Sequence, residues 1–121
     1  MIVYEELSYR ILAACFEVHN ILGPGFSENI YENAIARELA AMRIDLERKM
    51  PIDIFYKGEK VGIYRLDMVV EGKVILELKA RLELEKVFYA QLLSYLKASG
   101  LKLGILVNFG KRRVEYKRIV R

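Results

Sequence analysis

The stretch Val74-Ile75-Leu76-Glu77-Leu78-Lys79-Ala80 limits what this chain can fold into more than any other part of it. It is nearly continuous in apolar residues, with β-branched side chains at its start, so it reads as a strand covered on both faces. A sheet with helices packed on either side meets that demand. Glu77 and Lys79 stand two residues apart inside the stretch and therefore project from the same face. Charges in such a place cost several kcal/mol each unless they are paired or bound to a metal.

The remaining elements can be read around this strand. Leu7, Ile11, Leu12, Cys15, Val18 and Leu22 recur at helical spacing over residues 4–22, and Gly23-Pro24-Gly25 ends that helix. Ser27 is placed to N-cap a second helix whose apolar stripe is Ile30, Tyr31, Ala34, Ile35, Leu39 and Met42. Residues 46–56 and 61–70 read as a hairpin across Lys57-Gly58-Glu59-Lys60, and Glu71-Gly72-Lys73 turns the chain into the apolar strand. Residues 84–99 return to a helical period through Val87, Phe88, Leu92, Tyr95 and Leu96, closed by Gly100. Leu103–Asn108 and Arg113–Val120 read as two further strands. The order α-α-β-β-β-α-β-β implies a mixed sheet with the apolar strand central. A right-handed crossover lays the following strand parallel to it.

Composition narrows the function classes. The 121 residues have room for one domain, residues 1–121, and their 54% hydrophobic and 30% charged content excludes a disordered chain. No apolar run approaches the roughly 20 residues that span a bilayer. The start, MIVYEELSYR, lacks the pattern of a signal peptide, and Cys15 is the only cysteine, so the cytoplasm is the expected compartment. Cys15 reads as a small buried hydrophobe, and His19, the only histidine, as structural or at the surface. The net charge of +4 is modest, but the last eleven residues, KRRVEYKRIVR, hold six Lys or Arg against one Glu. They suit either a phosphate backbone or a charge-protected edge strand. The 8 Tyr and 5 Phe are generous for this length and point to a homodimer or a protein partner.

Asp67 raises the same question as Glu77, because it falls among Leu66, Met68, Val69 and Val70. A three-residue turn centred on Gly72 brings it opposite Glu77 or Lys79, so two carboxylates and a lysine converge from neighbouring strands. A structural ion pair of Lys79 with one acid explains part of this and leaves the second acid unpaired. A metal accounts for both acids, and oxygen ligands without a Cys/His cluster favour Mg²⁺ or Mn²⁺ over zinc.

Asp67 followed by Glu77-Leu78-Lys79 resembles the signature of the PD-(D/E)XK phosphodiesterases, with Leu66 where many members have proline. Gln91-Leu92-Leu93-Ser94-Tyr95 is similar to the Gln-x-x-x-Tyr element of their RecB-like branch. That branch commonly carries Gly three residues before the acid, where this chain has Tyr64. Gly25-Phe26-Ser27-Glu28-Asn29-Ile30-Tyr31 resembles the pattern that names the GxxExxY proteins of the same superfamily. The resemblance implies an α/β fold with a restriction-endonuclease-like three-layer core, in which a mixed sheet of about five strands carries flanking helices. It implies a metal-dependent nuclease acting on DNA or RNA, or alternatively an inactive or accessory binding module that keeps the fold. On that implication Asp67, Glu77, the Leu78 carbonyl and Glu28 serve the metal. Lys79 serves the attacking water and the phosphate, and Gln91 and Tyr95 contact the metal water or the nucleic-acid backbone. Tyr31, although within the pattern, reads as core packing and not as a catalytic residue.

Overall fold

The computed structural model describes residues 2–121. The periodicities become α1 (Glu5–Leu22), α2 (Glu28–Ala41), β1 (Leu46–Tyr56), β2 (Glu59–Val70), β3 (Val74–Lys79), α3 (Lys86–Ser99), β4 (Leu103–Asn108) and β5 (Glu115–Val120). The strands form one sheet in the order β1-β2-β3-β4-β5, with the apolar β3 in the middle. β3 and β4 are parallel, as a crossover through α3 requires, and the other neighbours are antiparallel.

The two faces of β3 go to different cores. Val74, Leu76 and Leu78 pack with Ile11, Cys15, Ile35 and Leu39 of α1 and α2. Ile75 packs with Leu92 and Leu96 of α3, and Leu66, Val69 and Leu106 complete that second core. Strand alternation therefore puts Glu77 and Lys79 on the α3 face. Close contact of α3 with the sheet depends on Gly104, where a Cβ would lie 2.7 Å from Leu92 Cδ1.

Several boundaries differ from the sequence reading by one or two residues. The β1–β2 turn is two residues, Lys57 (φ 50°) and Gly58 (φ 82°), instead of four, because both adopt the left-handed conformation of a tight hairpin. Helix α3 starts at Lys86, with Glu85 as its cap residue, and β5 starts at Glu115. Ser27 occupies the N-cap of α2 but makes no side-chain cap bond; its carbonyl accepts from the Ile30 N–H instead.

Tyr31, His19 and Cys15 take clear structural roles. Tyr31 is fully buried and stacked on Phe109 at 4.6 Å; its hydroxyl donates to the Gly23 carbonyl at 2.6 Å and accepts from the Phe26 N–H at 3.2 Å. It thereby ties down the loop that leads to Glu28. His19 is buried, and its Nε2 donates to the Lys111 carbonyl at 2.9 Å. Burial pushes the Cys15 thiol up to about 12, which leaves it inert as a nucleophile. The basic C-terminal segment divides. Arg118 bonds to the Val3 carbonyl and the Ser8 hydroxyl, Arg121 to the Leu101 and Gly100 carbonyls, and Lys111 pairs with Glu115. As for the two readings of this segment, β5 is an edge strand, and three of the segment's six cations bond within the chain while Arg112, Arg113 and Lys117 are exposed.

Candidate functional site

The site begins where two strands part. β2 and β3 pair only at Val69↔Ile75 and Val70↔Val74, next to the Glu71-Gly72-Lys73 turn. Beyond that point β2 remains bonded to β1 and β3 to β4, so the sheet opens between them. Continued past its last pair, the same register sets Asp67 opposite Glu77, across the opening. β2 also changes face there. Leu66 joins the α3-side core and Met68 the α1/α2-side core, although residues two apart on a regular strand share a face. Lys49, whose ladder partner would be Asp67, has φ 56°, a left-handed conformation that non-glycine residues adopt only at a cost. This local twist leaves Asp67 exposed, which corrects the expectation of two buried acids.

Glu77 is the buried acid, with 7% exposure. Burial first, and then the negative charge of Asp67, push its carboxyl up to about 7; Lys79 acts in the opposite direction, and Glu32 and Glu28 add smaller upward pushes. Four acids therefore act on one opening, and one lysine opposes them. Lys79 forms no ion pair within 4.0 Å among the described residues; its ammonium lies 4.6 Å from the centre of the Phe88 ring. The structural ion pair that the spacing left open does not form. The backbone adds one more oxygen. The Lys79 carbonyl accepts from the Phe109 N–H at 2.7 Å on the β4 side, so by alternation the Leu78 carbonyl turns toward β2, where the ladder has ended.

The helices supply the rest. Glu28 sits half-buried in the first turn of α2, and Glu32 follows one turn later, held by Arg48 at 3.0 Å. On α3, Tyr95 stacks on Tyr64 of β2 with ring centres 4.8 Å apart, and the Tyr64 hydroxyl donates to the Tyr95 oxygen at 2.9 Å. Burial raises the Tyr95 hydroxyl above its ordinary range, helped by the bond to Tyr64 and by the charges of Glu77 and Asp67. Gln91 is exposed one turn earlier on α3. The sequence reading missed Glu32 and Tyr64 as a partner of Tyr95. Only Glu32 carried a usable signal, its spacing of four residues from Glu28.

The donor set suits a hard divalent cation. Asp67, Glu77 and the Leu78 carbonyl offer oxygen alone, and a cation would relieve the repulsion that raises Glu77. Among the described residues no three His, Cys, Asp or Glu side chains gather tightly enough to cage an ion. That is compatible with Mg²⁺, which commonly binds through one or two carboxylates and keeps several waters. Nor is any helix among the described residues long and apolar enough to cross a membrane.

Comparison with known proteins agrees with this geometry. No curated protein matches the chain. The crystal structure of SSO0001 is similar in fold, with a TM-score of 0.58 at 21% identity over 98% of this chain and 57% of that one. The chain thus spans little more than half the length of that protein. Residues 5–119 match the profile of the PD-(D/E)XK nuclease superfamily, and the chain belongs to that superfamily.

Proposed function

We propose that this chain is a divalent-metal-dependent nuclease that hydrolyses the DNA or RNA backbone, of the kind named by the GxxExxY pattern. The observation that carries the proposal is the opening between β2 and β3, with Asp67 and buried Glu77 on its two sides and an unpaired Lys79 beside them. Asp67, Glu77 and the Leu78 carbonyl would hold Mg²⁺ or Mn²⁺, with Glu28 completing the set. Such an ion, when bound, supplies a water activated for in-line attack on a phosphodiester. Lys79 would orient that water and offset charge on the phosphate, its stem steadied by Phe88. Tyr95, fixed by its stack on Tyr64, would offer its hydroxyl to the site, and Gln91 would contact the backbone of the strand.

The alternative, an inactive binding module with the same fold, has less support. A binding surface gains nothing from a carboxylate buried among like charges. A cleavage assay on single- and double-stranded DNA and RNA, with Mg²⁺, Mn²⁺ or EDTA, decides between them. Wild type should cleave at least one substrate only when metal is present, and Lys79→Ala should lose that activity while keeping its melting temperature. Equal cleavage by both proteins would assign the activity to a contaminant and refute the proposal.

A further inference from the structure

Arg81 lies two residues beyond Lys79, just past the end of β3. Its backbone is held more firmly than a surface loop requires. The buried side chain of Asn108 accepts from the Arg81 N–H at 2.9 Å and donates to the Arg81 carbonyl at 2.8 Å. Gly110 packs against the same residue so closely that a Cβ there would lie 2.3 Å from the Arg81 nitrogen and oxygen. Residues 79–81 are thereby locked onto the end of β4.

From this fixed backbone the Arg81 guanidinium reaches the Phe88 ring, 5.0 Å from its centre, and Lys79 meets the same ring at 4.6 Å. The two cations are therefore no more than about 10 Å apart, within a Debye length at 0.1 M salt, and they repel. Neither forms a close ion pair among the described residues, although the acids of the opening face Lys79. Lys79 has no ion pair among the described residues, and Arg81 has only Glu85, at 4.0 Å with both side chains about half exposed or more. An exposed contact at that distance contributes little. Arg81, on a doubly clamped backbone and on the same aromatic ring as Lys79 but farther along the chain from the acids, is arranged for an anion. A guanidinium suits a phosphate in particular, through paired N–H donors.

We propose that Arg81 grips the phosphate of the nucleic-acid strand next to the one that Lys79 serves, with Asn108 and Gly110 as the positioning residues that hold Arg81 there. The assignment of the anion to a nucleic-acid strand rests on the nuclease reading. Next to this pair an open depression of about 600 Å³ is lined by Ala80, Arg81, Leu82, Glu83 and Glu85. Glu83 and Glu85 disfavour an anion across that whole surface, so the phosphate site is at the Arg81 guanidinium beside Phe88.

The test is binding of a short labelled single strand to the Asp67→Asn protein, followed by fluorescence anisotropy across a salt series. Adding Arg81→Gln should weaken binding severalfold at low salt and reduce the log–log salt slope by about 0.7, the value for one lost contact to a single strand. Arg81→Lys should recover most of the slope, because the charge is kept. An unchanged slope in Asp67→Asn/Arg81→Gln would overturn the inference, even where wild type cleaves with metal. A reduced slope in a protein whose wild type never cleaves would keep the phosphate site and remove the nuclease reading.

Discussion

Glu77 is where burial and like charge act in the same direction. Its folded-state carboxyl titrates at about 7 against an ordinary 4.5, so the folded chain holds that proton more firmly than the unfolded chain does. The linked stability is fully present below pH 4.5 and is lost as pH rises through about 7. In EDTA, the melting temperature of wild type should therefore fall between pH 5 and 8, and Glu77→Gln should flatten that fall. The shift corresponds to roughly 3 kcal/mol as an upper figure. Parallel melting curves across this pH range would dismiss the repulsive cluster. The oddity of Glu77 and Lys79 was legible in the sequence because charge inside an apolar strand violates a local rule. The clamp of Asn108 on Arg81 was not, since it joins residues 27 apart through tertiary packing alone. Tyr64 likewise acquires meaning only when α3 comes to rest beside β2.

At the scale of elements, periodicity found the three helices and five strands of the described residues, and the crossover rule gave the parallel pairing of β3 with β4. What it missed were the ends, decided by left-handed residues such as Lys57, and the change of face in β2 between Leu66 and Met68. That change depends on Lys49 in the partner strand, and nothing in a lysine announces a positive φ. The approach of α3 to β4 gives an element-scale prediction. A methyl group added at Gly104 would sit 2.7–2.9 Å from three carbons of Leu92 and force α3 outward. Gly104→Ala should cost about 1–3 kcal/mol in urea unfolding. Adding Leu92→Ala should cost less in that background than in wild type, because the methyl partly fills the space. If Leu92→Ala costs the same in both backgrounds, the contact does not set the distance between helix and sheet.

For the whole molecule, the proposed nuclease reading gives the central strand, the crossover and the split sheet one purpose, to bring acids from β2, β3 and α2 toward a single opening beside Lys79. The cations of β5 are divided between holding the fold and facing solvent, so the location of the opening rests on the acids and Lys79 and not on net charge. A bound divalent ion would relieve the repulsion at Glu77 and stabilise the fold by about 1.4 kcal/mol at ten times its dissociation constant. Asp67→Asn removes one ligand charge and should abolish that response while leaving the metal-free fold as stable as wild type or more so. The direct measurement is the melting temperature of both proteins at pH 8, in EDTA and in Mg²⁺ or Mn²⁺. The account predicts a rise with metal for wild type and none for Asp67→Asn; no rise in wild type, or the same rise in both, would contradict a metal site at Asp67 and Glu77.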